Sequence, residues 1–391
     1  MSAHTIMTPY HRRICPFHNV SNAVLREIFS ALFAESENVS GLIISSVCRN
    51  WREVALGMPN IWTNISLRAA RHPRILEQIL SRSTHYHIDV RIDFNQQFFS
   101  TCDAEAPNFR DTFEAIVVHI KRLRRLTITA RNPIIHAIVR HLKNRTMPKL
   151  EHLELIQCDT GPVSFFGPFL VDSNAFTSLR LVRTAATFGD ASLLQGLRTL
   201  DLVESSGRFL DQSAHINYNF PASPPVPCMF KLSRLSITDT ELFVNANNPL
   251  VSIKPAFTVS LLTHLTMSRL KVASSPDSMA AFIRLFNMTY YSGLEELCLD
   301  DIHGHALEIL QQMIGAPYPK YPRLKSLTLS SLPIKDLRRE FYLAFPAVET
   351  LTLRDVDPSF FLVAKTRDPG ILPLLKRITF NGVDLRVGDE I

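Results

Sequence analysis

The hexapeptide template L-x-x-L-x-L recurs ten times along this chain, and no other feature restricts its fold so sharply. It reads LRRLTI from Leu123, LEHLEL from Leu150, FTSLRL from Phe176, LRTLDL from Leu197 and LSRLSI from Leu232. It continues as LTHLTM from Leu262, LEELCL from Leu294, LKSLTL from Leu324, VETLTL from Val348 and LKRITF from Leu375. The starts cover 252 residues at a mean period of 28, with gaps from 21 to 35. Regular self-similarity at this period predicts units that bury their apolar face only by stacking on one another.

Within each template the apolar residues alternate, as in Leu153 and Leu155, which predicts a short strand with one face inward. Between the strands lie helix-like stretches such as FRDTFEAIVVHI, PIIHAIVRHL, PDSMAAFIRLFNMTY, HALEILQQMI and DLRREFYLAF. Strand, turn and helix in each unit resemble a leucine-rich-repeat solenoid, an α/β fold with a curved parallel sheet and helices on the convex side. The resemblance is irregular. The Asn or Cys usual just beyond the strand occurs only as Cys158, and Leu270, Ile302, Leu332, Val356 and Val383 stand there elsewhere. Outward strand residues, on the concave face, include Arg125, Thr127, His152, Glu154, Arg180, Asp201, Arg234, Thr266, Arg354, Arg377 and Asn381. Residues 71 to 94 read as a helix and then a strand that begins the solenoid. The Pro-rich stretch at 219 to 230 reads as a loop, its P-x-x-P spacings being an alternative groove-binding signal.

The N-terminal seventy residues differ. Val24, Leu25, Ile28, Phe29, Leu32 and Phe33 form one helical stripe, with Ser21 or Asn22 as its N-cap. Val47, Trp51, Val54, Ala55 and Met58 form another, ended by Gly57 and Pro59. So small a unit must pack its apolar surface either on the rest of the chain or on a partner. The order VLREIF, then LIISSVCRNWREVALGMPNIW, then TNISL resembles an F-box of the version common in fungal proteins. The match runs over about residues 17 to 67 and is close at Val47, Cys48, Arg49, Trp51, Arg52, Ala55, Pro59 and Trp62. It departs at Val20-Ser21 and Ala23, where the family pattern has Leu-Pro and Glu. Trp51 is expected to anchor the last helix and Trp62 to pin the segment entering the next domain.

The domain division that follows is a tail at 1–16, an F-box at 17–67 and a leucine-rich-repeat-like solenoid at 68–391. The resemblance implies the substrate-receptor subunit of a Skp–cullin–F-box ubiquitin ligase. The Skp adaptor, and through it a cullin, would be held mainly by Val20, Leu25, Ile28, Phe29 and Leu42, with Val47, Cys48 and Trp51 in support. The repeats would hold a protein substrate. The rival is an intracellular repeat scaffold or sensor whose F-box remnant packs internally. The two differ in whether Leu25, Ile28 and Phe29 are exposed.

Chemistry-bearing motifs are few. There is no glycine-rich phosphate loop, G-x-S-x-G, HExxH or paired CxxC. His303 to His305 and Cys15 to His18 each offer two metal ligands where a structural zinc needs four. The reading is therefore a non-catalytic chain with no cofactor and no metal. Six scattered cysteines, no charged-then-apolar leader and no long apolar run point to a cytoplasmic or nuclear protein without a membrane. Residues 119 to 149 carry nine Lys or Arg and no Asp or Glu, against a net charge of +6 for the whole chain. That block suits an acidic or phosphorylated partner or is a solvated face; nucleic acid is the weaker reading, for want of interleaved aromatics. The substrate-binding candidates are Arg125, Arg131, Arg140, Lys143, Arg145, His152, Arg180 and Arg234.

Overall fold

The computed structural model describes residues 20–35, 41–68, 73–94, 107–142, 145–158, 164–166, 175–186, 196–204, 231–239, 241–242, 261–269, 271–272, 293–304, 307, 311, 321–333, 337 and 339–386. The tail at 1–16, Cys15 to His18, Lys143, the Pro-rich stretch at 219–230, Leu270, the helical stretch at 276–290, His305 and most of HALEILQQMI lie outside the described residues.

Three helices come first: α1 (Asn22–Glu35), α2 (Gly41–Ser46) and α3 (Arg49–Leu56), followed by a single 3-10 turn at Pro59–Trp62. Ser21 caps α1, its Oγ accepting from the Val24 amide at 3.3 Å. Gly57 closes α3, its amide donating to the Val54 carbonyl. The strands are β1 (Asn64–Arg68), β2 (Ile88–Asp93), β3 (Leu123–Ala130), β4 (His152–Gln157), β5 (Ser164–Phe166), β6 (Ser178–Val182), β7 (Thr184–Ala186) and β8 (Thr199–Val203). They continue with β9 (Arg234–Thr238), β10 (Glu241–Leu242), β11 (His264–Ser268), β12 (Lys271–Val272), β13 (Glu296–Asp300) and β14 (Ser326–Ser330). The last are β15 (Thr350–Arg354), β16 (Arg377–Phe380) and β17 (Val383–Arg386). Further helices are α4 (Pro73–Arg82), α5 (Pro107–Val118), α6 (Asn132–Leu142), α7 (Arg339–Leu343) and α8 (Pro358–Arg367).

One sheet of 13 strands runs β1-β2-β3-β4-β6-β8-β9-β11-β13-β14-β15-β16-β17. Every neighbouring pair is parallel except the last, β16 with β17. All ten templates became adjacent strands of this solenoid-like sheet, in register: Leu153 faces Leu179, Leu179 faces Leu200, and so on to Leu351 with Ile378. The template's apolar positions are buried from Leu123 to Ile378, and Phe380 is half-buried. Each buried leucine adds about 1.5–3 kcal/mol. Helices line the inward side; α6, for example, buries Ile134, Ile135, Ile138, Val139 and Leu142 against the sheet. Two short parallel pairs, β5 with β7 and β10 with β12, lie outside the main sheet.

The buried-asparagine ladder is replaced by backbone geometry. The residue after each of many strands is left-handed: Arg183, Glu204, Asp239, Arg269, Asp301, Ser331 and Asp355 have φ of 47–55°. The amide of each but Asp355 donates at 2.8–3.0 Å to the carbonyl that ends the next strand, as Arg183 does to Val203 and Asp301 to Ser330. The turn then drops an apolar residue into the core, which is why Ile302, Leu332 and Val356 stand where a polar group was expected and are buried. Val383 differs and is exposed. Asn381-Gly382, with φ of 45° and 86°, forms the two-residue turn of a β16–β17 hairpin. Asn381 is therefore a turn residue and not an outward strand position.

The expected boundary between residues 67 and 68 cuts through β1, which is already the first strand of the sheet. Helices and sheet share one core. The buried Trp62 indole donates to the Ala55 carbonyl at 2.8 Å, sits against Gly41, and carries the Arg82 guanidinium of α4 at 4.6 Å over its ring. A Cβ on Gly41 would fall 2.6 Å from Trp62 Cδ2. Gly41→Ala is expected to destabilise by about 1–3 kcal/mol through overpacking. Denaturant unfolding followed by tryptophan fluorescence checks this, and an unchanged midpoint would contradict the packing described.

Candidate functional site

Two surfaces gather the candidate residues. The first is on the N-terminal helices. Leu25 and Phe29 are fully buried, Phe29 meeting Trp51 edge-on at a centroid distance of 4.9 Å. Both therefore form the core of the helical unit and are not contact residues, a correction to their expected role. Their neighbours face out: Val24, Ile28 and Leu32, spaced by four along α1, are 50%, 39% and 38% exposed. Ile43 and Val47 are exposed too, while Val20, Leu42, Cys48 and Trp51 are half-buried. Of the expected contacts, Ile28 and Val47 are presented most openly. The sequence missed Val24, Leu32 and Ile43 as contact candidates because one stripe on α1 holds both the inward and the outward apolar residues. Contiguous apolar patches of several hundred Å² mark contact sites, whereas singly exposed apolar residues are ordinary.

The second surface is the outward face of the sheet. Register places side chains in rows across it. One row runs Asp89, Arg125, His152, Ser178, Thr199, Arg234, His264, Glu296, Ser326, Thr350, Arg377. The next runs Arg91, Thr127, Glu154, Arg180, Asp201, Ser236, Thr266, Cys298, Thr328, Thr352, Thr379. Thus Arg125, His152, Arg180 and Arg234 do share a face.

The basic block does not stay together. Arg122 turns its guanidinium to the Tyr86 carbonyl and to Ser83, and Arg124 grips Asp89 with two bonds of 2.9 and 2.7 Å. Arg125 also lies 4.0 Å from Asp89. Asp89 holds the Arg124 guanidinium above its ordinary pKa, chiefly through these hydrogen bonds, with burial opposing. Arg140 belongs to the last turn of α6 and Arg145 follows it, both exposed on the helix layer; Arg131, half-buried, precedes α6. One ligand cannot be gripped by Arg125 and Arg140 together, since the sheet's core separates them. The block as a single patch is therefore corrected.

The centre of the outward face neutralises itself. Arg180 bridges Glu154 and Asp201, each at 3.0 Å, and Glu154 also accepts from Thr127 at 3.1 Å. His152 Nδ1 lies 2.8 Å from Ser178 Oγ. Burial lowers the His152 pKa, Glu154 opposing and Arg125 and Arg180 assisting. Cys298, half-buried among threonines, is pushed up by burial. Cys48, Cys158 and Cys298 are free thiols. Among the described residues no group of three or more His, Cys, Asp or Glu is placed to hold a metal, and His303 instead meets Asp301 at 2.5 Å. No helix among them is long and apolar enough to cross a membrane.

No family model matches the chain, and no curated protein matches it.

Burial lowers the His119 pKa as well as that of His152. A histidine whose folded pKa lies below its unfolded value of about 6.5 favours the unfolded state as protons bind. Stability is therefore expected to be full above that unfolded value and to fall as pH drops through it. Denaturant midpoints at intervals from neutral to mildly acid pH test this. His152→Gln should flatten the slope, and an unaltered slope would remove His152 as its source.

Proposed function

We propose that this chain is the substrate-receptor subunit of a Skp–cullin–F-box ubiquitin ligase, with an F-box at its N-terminus and an irregular leucine-rich-repeat solenoid behind it. One observation carries the reading: residues 47 to 62 fit the F-box pattern, and the helical unit they belong to keeps Val24, Ile28 and Leu32 exposed along α1. The adaptor, leading to a cullin, would cover that stripe together with Ile43 and Val47. The outward, concave face of the sheet would hold a protein substrate. Catalysis is then proximity: a rigid bridge raises the effective concentration of substrate near the charged conjugating enzyme, and this chain supplies no reacting group and needs no cofactor. The working compartment would be cytoplasm or nucleus.

A second reading has its own support. Leu25 and Phe29 pack internally, and Val20-Ser21 replaces the Leu-Pro of the family. An intracellular scaffold or sensor with a degenerate F-box would look the same in those two respects. The exposed α1 stripe favours the ligase reading.

Ile28→Asp with Leu32→Asp is expected to abolish co-purification with a Skp adaptor while leaving the fold intact, since both side chains are exposed. Leu25→Asp is the contrasting control, expected to unfold the helical unit, because an unpaired charge would enter its core. Size-exclusion chromatography of the co-expressed pair, with circular dichroism of each variant, is the measurement. Undiminished adaptor binding by the Ile28/Leu32 variant would sink the docking assignment, and failure of the unaltered chain to bind would leave the scaffold reading.

A further inference from the structure

On the outward face of the sheet the carboxylates have partners and several guanidiniums do not. Asp89 holds Arg124, Glu154 and Asp201 share Arg180, Glu296 lies 3.3 Å from His264, and Asp300 accepts from Ser268 at 2.6 Å. Asp93 also has a partner. Four arginines on the same face, Arg91, Arg234, Arg354 and Arg377, are exposed, and their guanidiniums have no ion-pair or hydrogen-bond partner among the described residues.

Two of these bracket a patch without carboxylates of its own. β14 presents Ser326, Thr328 and Ser330; β15 presents Thr350, Thr352 and Arg354; β16 presents Arg377 and Thr379. All the hydroxyl-bearing residues among them are half-buried, and both arginines stand exposed. Carboxylates border the patch: Glu296 and Asp300 stand beside Ser326 and Ser330 on β13, Asp384 stands opposite Thr379 and accepts from it at 2.6 Å, Glu349 pairs with Lys376 at 2.9 Å, and Asp355 is on the turn after β15. Hydroxyls donate as well as accept, and guanidiniums only donate. Such a floor suits an acceptor-rich ligand, and a carboxylate accepts charge-assisted bonds from both.

Spacing narrows the class. Arg354 lies four residues further along its strand than the position paired with Arg377, so their Cα atoms stand about 14 Å apart diagonally. A phosphate is met by clustered arginines. Arg386 is the register partner of Arg377 on β17, but the separation of Arg354 from Arg377 matches charges spread along an extended chain, about four residues from one another. No aromatic side chain on these three strands faces outward to stack a base.

We propose that the patch between Arg354 and Arg377 grips an extended Asp/Glu-rich segment of a protein partner, which, resting on the receptor reading above, is the substrate. Arg354 and Arg377 clamp two carboxylates and the Ser/Thr floor hydrogen-bonds between them. This moves the acidic-partner site from residues 119–149 to the C-terminal strands.

The test is fluorescence anisotropy with the full chain and four labelled probes: an extended peptide with Glu at every fourth position, its Gln counterpart, the same frame with a single phosphoserine, and a single-stranded oligonucleotide. The Glu peptide should bind best and weaken with salt. Arg354→Glu with Arg377→Glu should weaken it by about tenfold or more. Arg140→Glu with Arg145→Glu, on the helix layer, should not. Equal binding of the Gln peptide, preference for phosphoserine or the oligonucleotide, or indifference to the Arg354/Arg377 reversal each overturns the proposal. Adaptor binding of the unaltered chain is read alongside. Peptide binding without adaptor binding retains the patch and discards the ligase reading; adaptor binding without peptide binding does the reverse.

Discussion

A strand in this sheet has no hydrogen-bonding partner inside its own repeat until the last turn of the chain. Parallel neighbours need a crossover between them, so every amide and carbonyl of a strand is answered by a different repeat. The answer begins before the strand does. The Glu151 carbonyl accepts from both Thr177 and Ser178, and the pattern recurs up to Glu349, which accepts from Lys376 and Arg377. It ends beyond the strand, where left-handed residues donate across to the next repeat. With the backbone register held at both ends, the leucine rows stack without slippage. A one-residue slip would turn every buried leucine to solvent.

The helical unit is bound into this arrangement through Trp62. Its indole is held by the Ala55 carbonyl on one side, the Gly41 backbone on another and the Arg82 guanidinium above. These contacts come from α3, α2 and α4, so the turn that leads into β1 joins helices and sheet in one core. The exposed stripe of α1 and the outward rows of the sheet are thereby held on a common framework. The proposed receptor role would depend on such stiffness, because a slack joint would dilute the effective concentration it provides.

The sheet was legible in the sequence because its inward rows repeat with fixed offsets, and burial enforces that pattern residue by residue. The turns were less so. Arg183, Glu204 and Arg269 carry no glycine or asparagine signal for a left-handed backbone, and only the run Asp239, Asp301, Asp355 hints at it. Asn381-Gly382 was a readable hairpin dipeptide, overlooked because the repeat template extended past it. Charge misled for a different reason. Arg124 looks free within its own stretch, yet Asp89 lies opposite on the preceding strand, thirty-five residues back. Counting charge along the chain cannot see pairs made across repeats. On α1 the spacing identified the apolar residues, but a wide apolar arc does not say which edge of it faces the core.

The reversal at β17 has a further effect. A stack of parallel strands is in principle endless: its first edge is built to accept what its last edge offers, and copies could join head to tail into a filament. Here β17, the last strand among the described residues, runs against β16, so a copy stacked in the same sense would meet it antiparallel and not parallel. Among the described residues the stack therefore begins with a strand that enters a crossover and finishes in a tight hairpin, so its two edges are unlike.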